Sequence, residues 1–326
     1  MPSIRTEITE IATALGMLGY DSVERAMVHR PRELDDVDDA TWARLKNVHD
    51  DPQHRPDFAG AFRNGEVFLQ SDDALRGRRP ALIEWKGGHR APGAETVPVD
   101  LRVDHVFLVS CKYASRILLN SAPAALFGGA DGDWYGHVAS SEHEALYRAI
   151  RSKGSITELP SFASDLAKHH RSLVRVVAEE VWDGECQELY LSMAREVGRA
   201  SASAWRSTLS SKRERESMLW RLLRIGSAPY FVLGSSRDSA LRIRVTTPWD
   251  WRRRFEFRSF EVWGDEAGQP RVGWKAVVRD HELGTDGSVD GHVEVRWSHG
   301  RFGQPPEAKV YLDTPHDRVP GYLPLT

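Results

Sequence analysis

The first 50 residues carry two hydrophobic patterns that are typical of helices. Within residues 3–28, apolar side chains recur at the three- and four-residue spacing of one amphipathic helix: Ile4, Ile8, Ile11, Leu15 and Leu18. Residues 38–48 open with two aspartates that suit a helix cap, and we expect a short helix there. A polar stretch between the two patterns predicts a loop.

Strand-like patterns follow in the next part of the chain. GEVFLQ (65–70), PALIEWKG (80–87) and DHVFLVSCKY (104–113) each predict a strand, and the last is the strongest buried-strand signal in the chain. Glycine and proline break the chain within residues 87–96, which predicts a loop. Residues 114–127 form an apolar run that we expect to be helical up to the region of Pro123. The expected core is a mixed sheet with 80–87 and 104–113 as neighbouring strands.

In the second half of the chain, the hydrophobic pattern changes from one typical of helices to one typical of strands. Residues 140–225 carry long amphipathic runs, whereas from residue 228 the runs are short, alternating and rich in aromatic side chains. The sequence therefore predicts an α+β protein with three consecutive parts: an α/β core (1–135), a helical segment (136–226) and a C-terminal antiparallel β-rich region (227–326).

Composition limits the class of protein. The chain has 326 residues, of which 40% are hydrophobic and 28% charged, so we expect a globular fold. Two cysteines cannot build a disulfide framework or a four-cysteine zinc site. The N-terminus does not resemble a secretory signal, and no apolar run is long enough to span a bilayer. We expect a cytoplasmic protein without a membrane partner, and self-association into a homo-oligomer stays open.

Acidic, hydroxyl and lysine side chains follow the predicted core strands. Ser110 and Lys112 lie on one face of their strand, because side chains alternate, and Glu84 and Lys86 do the same. Asp100 and Asp104 lie in the connection between these strands. Carboxylate oxygens suit a divalent cation such as Mg²⁺ or Mn²⁺, and Lys112 could stabilise charge on a phosphate. The alternatives are a lysine that extends into solvent and an edge-strand ion pair between Glu84 and Lys86.

The order of helix, strand, acid-bearing strand, strand with x-Lys and helix resembles the PD-(D/E)XK nuclease superfamily, which has the restriction-endonuclease-like fold. Ser110 stands where that family has its second acid, and Ser110-Cys111-Lys112 resembles the Ser-x-Lys branch of type II restriction endonucleases. That branch takes its glutamate from the following helix, but residues 114–127 contain no acid. The resemblance implies catalytic roles for Lys112 and Ser110 and for Glu84, Asp104, Asp100 and Lys86, with Glu84 and Asp104 as metal ligands; Glu142 is a further candidate for the missing acid.

A second alignment with the same family uses Asp73 and Glu84-x-Lys86, so that 104–113 is simply the next core strand. We favour the first alignment, because in this family a long apolar strand bearing the lysine leads into a helix. The resemblance covers about residues 40–130.

The resemblance implies a metal-dependent nuclease acting on DNA, with a role in restriction or anti-phage defence. Between residues 199 and 263 there are 14 lysines and arginines against 6 acids, although the net charge of the chain is -3. We therefore expect this stretch to bind nucleic acid through Lys212, Arg213, Arg215, Arg252, Arg253 and Arg254. The alternatives are a nuclease fold that binds nucleic acid without cutting it, and a structural or partner-binding subunit that uses the C-terminal sheet.

Overall fold

The computed structural model describes residues 3–87, 99–113, 117–129, 132–235, 240–265 and 269–325. It is a mixed α+β protein with two sheets. Contacts divide the chain into two compact units that are interleaved in sequence. The first unit comprises Met1–Arg116, Leu223–Arg254 and His316–Thr326, and the second comprises Ile117–Leu222 and Phe255–Pro315.

The helices and the strands of the described residues are numbered separately, each in chain order. The α-helices are α1 (Ile4–Met17), α2 (Val23–His29), α3 (Asp39–His49), α4 (Arg55–Gln70), α5 (Pro123–Phe127), α6 (Trp134–Val138), α7 (Ser140–Gly154), α8 (His170–Glu180), α9 (Gly184–Thr208), α10 (Lys212–Leu223) and α11 (Pro248–Arg254). The strands are β1 (Leu34–Asp35), β2 (Ile83–Trp85), β3 (Leu101–Val103), β4 (Phe107–Tyr113), β5 (Ile117–Ser121), β6 (Tyr230–Ser235), β7 (Ala240–Val245), β8 (Phe255–Asp265), β9 (Arg271–Asp280), β10 (Thr285–Arg296), β11 (Glu307–Leu312) and β12 (Tyr322–Pro324).

A seven-stranded mixed sheet organises the first unit, in the order β1-β2-β3-β4-β6-β7-β12. Strands β2, β3 and β4 form an antiparallel meander, and β6 returns parallel to β4. Residues 117–222, which belong to the second unit, lie between these two parallel strands in sequence. The apolar face of the meander packs into the hydrophobic core through Val109, Cys111 and their neighbours. Alternation therefore places Ser110 and Lys112 on the opposite face.

Helix α1 is buried around most of its circumference, because it packs against α4 and also contacts α2, α3, β2 and β4. The two helices meet at Gly16 and Gly65. A Cβ atom on Gly16 would lie 2.1 Å from the carbonyl oxygen of Phe62, and one on Gly65 would lie 2.0 Å from that of Thr13. Only glycine allows the two backbones to approach this closely. This contact fixes α1 and the acidic residues that it carries.

The second unit has a five-stranded antiparallel sheet in the order β5-β11-β10-β9-β8. Helix α9 packs on strands β8 and β9 and buries Trp205 completely. Among the described helices of the whole chain, none combines the length and the apolar composition of a membrane span.

The structure corrects several sequence predictions. Residues 65–70 are helical, because Phe58, Phe62 and Leu69 lie on the buried side of α4. Strand β3 separates β2 from β4, so the strands within 80–87 and 104–113 share a sheet but are not neighbours. Of the helix expected at 114–127, residues 117–121 form strand β5 and only 123–127 are helical; residues 114–116 lie outside the described part.

Other predictions concern the ends and the second half of the chain. The pattern at residues 3–28 is divided between α1 and α2, whereas the helix at 38–48 and the helical segment 140–225 are confirmed. The short runs after residue 228 are strands, but they are shared between two sheets, and the units interleave where the sequence predicted consecutive parts. The expected loop at 87–96 lies outside the described residues from position 88 onward.

Candidate active site

Asp100 is held against β4 by two hydrogen bonds to one of its carboxylate oxygens. The Ser110 hydroxyl donates to Asp100 Oδ2 at 3.0 Å, and the Cys111 backbone N–H donates to the same atom at 2.6 Å. The pairing of β3 with β4 produces this arrangement, because Asp100 immediately precedes β3 and its own N–H donates to the carbonyl of Val109. No described residue donates to Oδ1, so this oxygen can accept a ligand.

A second carboxylate comes from helix α1. Glu10 is 6% exposed, and its Oε2 accepts a hydrogen bond from the indole N–H of Trp85 in β2 at 2.7 Å. No described residue donates to Oε1. Glu10, like Asp100, therefore has one anchored carboxylate oxygen and one oxygen without a donor among the described residues.

The electrostatics link Glu10 to Asp100 and Lys112. The pKa of Glu10 is raised to about 8, chiefly by burial and next by the negative charge of Asp100. The hydrogen bond from Trp85 and the positive charge of Lys112 act in the opposite direction. Lys112 is half-buried and forms no ion pair among the described residues. The charges of Asp100 and Lys112 thus both act on the Glu10 carboxyl, and the Ser110 hydroxyl is hydrogen-bonded to Asp100.

Glu84, which the sequence suggested as a metal ligand, already has basic side chains as partners. Arg102 donates to both carboxylate oxygens, Lys86 Nζ lies 3.3 Å from Oε1, and His105 Nδ1 lies 3.3 Å from Oε2. The hydrogen bonds from Arg102 are the main reason that the pKa of Glu84 is lowered to about 2. Glu84 and Lys86 therefore form the edge ion pair that the sequence offered as the alternative, and we withdraw Glu84 as a metal ligand.

Asp104 has a structural role in a turn. It has a left-handed backbone with φ 48°, and its Oδ1 accepts the N–H groups of Ala81 at 2.7 Å and Leu82 at 3.1 Å. Its other oxygen accepts from Arg78 at 2.6 Å. Burial raises the pKa of Asp104, but Arg78 and the two N–H groups outweigh it, and the net change is a lowering. Both oxygens are occupied, so we withdraw Asp104 as a metal ligand and catalytic residue.

The remaining acidic candidates lie elsewhere. Asp73 pairs with Arg244 of β7, which is separated from β2 in the sheet by β3, β4 and β6. This position removes the support for the second alignment. Glu142 is on α7 in the second unit. Of the acids suggested by the sequence, Asp100 is the one that accepts a hydrogen bond from Ser110 in the described part of the chain.

A divalent cation fits the donor set of this site. Within the described part of the chain, no group of three or more histidine, cysteine or acidic side chains is arranged to hold a metal. Mg²⁺ typically needs only one or two carboxylates, since water and phosphate complete its coordination. Burial and the negative charge of Asp100 disfavour the ionised form of Glu10, and a bound cation would favour it. The free oxygens of Glu10 and Asp100 are hard ligands of the kind that Mg²⁺ and Mn²⁺ prefer.

The basic residues suggested for nucleic-acid binding divide between the two units. Lys212, Arg213 and Arg215 belong to the second unit, whereas residues 252–254 form the end of α11 in the first. Lys212 lies 3.6 Å from Glu256, and Arg215 donates to the carbonyls of Leu209 and Ser210 near the end of α9. Arg252 and Arg254 also have interaction partners. Arg213 and Arg253 are exposed and form no ion pair among the described residues.

Sequence reasoning missed Glu10. The residue lies within the pattern of α1, and a glutamate between Ile8 and Ile11 was the available signal. The structure buries this glutamate. Comparison of the chain with models of protein families, with curated proteins and with solved structures gives no match. The site is therefore interpreted from its own geometry.

Proposed function

We propose that this protein is a metal-dependent nuclease that hydrolyses phosphodiester bonds in DNA, with its active site at Asp100, Ser110, Lys112 and Glu10. The observation that supports this proposal is that Asp100 and Glu10 each keep one carboxylate oxygen without a donor among the described residues, while the charges of Asp100 and Lys112 both act on Glu10. Among the described residues, neither carboxylate has an ion-pair partner, in contrast to Glu84 and Asp104.

The strand arrangement also supports the proposal. An antiparallel meander followed by a fourth strand parallel to the third resembles the core of PD-(D/E)XK nucleases. Asp100 directly precedes the second meander strand, and Ser110-x-Lys112 lies on the third. Glu10 would take the place of the acid that is missing at position 110. It lies on α1, which precedes the strands in sequence, rather than on the segment after β4.

Each side chain has a distinct task in the proposed reaction. Glu10 and Asp100 would hold Mg²⁺ or Mn²⁺, and the ion when bound would polarise the phosphate and lower the pKa of a water molecule. Ser110 and the N–H of Cys111 fix the orientation of Asp100. Trp85 does the same for Glu10. Lys112 places a positive charge where negative charge develops on the attacked phosphate.

A cleavage assay with two lysine variants tests the proposal. Lys112→Ala should reduce metal-dependent cleavage of duplex or single-stranded DNA by about a hundredfold or more, the typical loss when one preorganised charge is removed. Lys86→Ala is the matched control, because Lys86 extends from the same sheet but is paired with Glu84. Its activity should stay within a few-fold of wild type. Equal activity of wild type and Lys112→Ala would exclude this site.

One observation favours a second function. Ser110 cannot supply the acid that most relatives in the resembled superfamily have, and its hydroxyl is engaged with Asp100. A protein that binds DNA in a salt-dependent manner but does not cut DNA or RNA with Mg²⁺ or Mn²⁺ would be an inactive nuclease fold. RNA substrates belong in the same assay, because the site geometry does not distinguish the two nucleic acids.

A further inference from the structure

A polar groove follows the C-terminal part of α9 and the start of α10, entirely within the second unit, and shares no residue with the proposed cleavage site. It consists of three adjoining depressions of about 300, 480 and 630 Å³. The middle depression shares Arg206 with the first and Leu209 with the third, so the three follow one another. Residues 260–263 of β8 form the other wall of the middle depression. We call this surface the α9 groove.

Trp263 of β8 presents an open indole ring to the middle depression. Three atoms of the ring, Cε2, Nε1 and Cζ2, lie 2.4, 2.5 and 2.6 Å from the place where a Cβ atom on Gly273 would stand. These nearly equal distances show that the ring lies flat on the backbone of Gly273, its partner in β9. The residue is nevertheless 44% exposed, and no other described ring or guanidinium group packs on it. One face of the indole is therefore covered by the sheet, and the opposite face is open.

Four arginines of the groove have no ion-pair partner among the residues that the structure describes. They are Arg195 in the first depression, Arg206 and Arg215 in the middle one, and Arg213 in the third. Arg206 donates to the carbonyl of Val262 at 3.3 Å, and Arg215 donates to that of Leu209 at 2.7 Å. These carbonyls orient the two guanidinium groups but do not neutralise their charge. Positive charge is therefore distributed along the whole groove.

The acidic side chains of the groove are mostly engaged with neighbours. Of the five acids that line it, three have such partners: Glu196 pairs with Arg199, Asp265 with Arg271, and Glu214 accepts from the N–H of Ser211. Glu142 and Glu261 are the two that remain. The unpaired arginines thus outnumber the unengaged carboxylates, and the groove suits a polyanion.

We propose that the α9 groove binds single-stranded nucleic acid, with an unpaired base stacked on Trp263 and the neighbouring phosphates bound between Arg195 and Arg213. An aromatic ring can stack on any base, and guanidinium groups follow a phosphate backbone. A base inside a duplex is stacked between its neighbours and has no free face for the indole. Helix α9 rises about 1.5 Å per residue, so the levels of Arg195 and Thr208 are about 20 Å apart, which accommodates several nucleotides.

Anisotropy titration of the full chain with a labelled oligothymidylate of about 12 nucleotides, in excess chelator to prevent metal-dependent cleavage, tests this proposal. Trp263→Ala should weaken binding at least about fivefold, the typical loss for one base–aromatic stack, whereas Trp263→Phe keeps a ring and should lose less. Phe162→Ala is the matched control, because Phe162 is 47% exposed in the same unit but lies outside the groove. Arg195→Gln should reduce the salt slope by about 0.7, the value for one phosphate contact of a single strand, and Trp263→Ala should leave the slope unchanged.

Comparisons that use only wild type keep the proposal falsifiable if a variant does not fold. A strand of the same length without bases should bind at least about fivefold more weakly than oligothymidylate, because it keeps the phosphates and loses the stack. Polyglutamate at the same concentration of charge should not displace the oligonucleotide. Equal affinity for the strands with and without bases, displacement by polyglutamate, or wild-type affinity of a folded Trp263→Ala variant would overturn the proposal. Binding in chelator does not depend on cleavage, so this proposal and the proposed nuclease activity can fail separately.

Discussion

Replacing Glu10 by glutamine should change how the stability of the metal-free protein depends on pH. The unfolded chain releases the Glu10 proton near pH 4.5, whereas burial, the charge of Asp100 and the surrounding groups raise the pKa of the folded carboxyl to about 8. Between these values the folded state holds a proton that the unfolded state has lost. The stabilisation is therefore complete below about pH 4.5 and is lost as the pH rises through about 8.

The size of the effect follows from the linkage between proton binding and folding. One additional proton bound by the folded state changes the free energy of unfolding by about 1.4 kcal/mol for each pH unit. Between about pH 4.5 and about pH 8, the stability that is lost is therefore at most about 5 kcal/mol. Glutamine keeps an acceptor for the N–H of Trp85 but carries no charge. The difference in unfolding free energy between Glu10→Gln and wild type should grow in favour of the variant as the pH rises from 5 to 8.

Urea unfolding at several pH values in the presence of a chelator measures this difference directly. Saturating Mg²⁺ should then reduce it, because a ligand that binds only the folded wild type stabilises that protein. Glu7→Gln is the control: Glu7 is also buried on α1 but is paired with Arg44, and its removal should leave the response to Mg²⁺ unchanged. A difference between Glu10→Gln and wild type that stays constant from pH 5 to 8 would refute the assignment of a raised pKa to Glu10.

Three further predictions follow from the structure. Gly16→Ala or Gly65→Ala should lower the free energy of unfolding by at least about 2 kcal/mol, measured by urea titration, because each Cβ would overlap a carbonyl oxygen of the facing helix; an unchanged midpoint would refute the close crossing. Asp104→Ala should cost about 1–3 kcal/mol of stability by the same assay, whereas Asp104→Asn, which keeps an acceptor and tolerates a left-handed backbone, should cost less. Arg213→Glu or Arg253→Glu should weaken DNA binding and reduce its salt slope by about 0.9 per lost phosphate contact, measured by anisotropy titration over salt concentration; an unchanged slope would show that the residue is a solvated surface group.

Local periodicity was sufficient to predict the helices of residues 140–225 and the strand character of the runs after residue 228. Periodicity failed at residues 65–70, which were predicted to be a strand beginning at Gly65. This glycine instead allows the close contact between α4 and α1. The division of the strands between two sheets depends on contacts across the whole chain, such as the pairing of β4 with β6. No local pattern contains that information.

The candidate site was predictable only in part. Ser110, Lys112 and Asp100 follow from the strand pattern and the resemblance, and the structure brings them together. Preferring Asp100 to Glu84 required knowledge of which carboxylate is paired. The pairing of Glu84 with Arg102 depends on the register of β2 with β3, which no local pattern gives. Glu10 lies 90 residues before Asp100 in sequence, and only the packing of α1 against the sheet brings the two into electrostatic contact.

The central claim is that Asp100, and not Glu84, belongs to a metal-dependent nuclease site. The most direct measurement is the rate of DNA cleavage by wild type, Asp100→Asn and Glu84→Gln over a titration of Mg²⁺ and Mn²⁺. We predict cleavage by wild type only with added metal, a loss of about a hundredfold or more in Asp100→Asn, and a change of no more than a few-fold in Glu84→Gln. Full activity of Asp100→Asn, or cleavage that persists in excess chelator, would contradict the account.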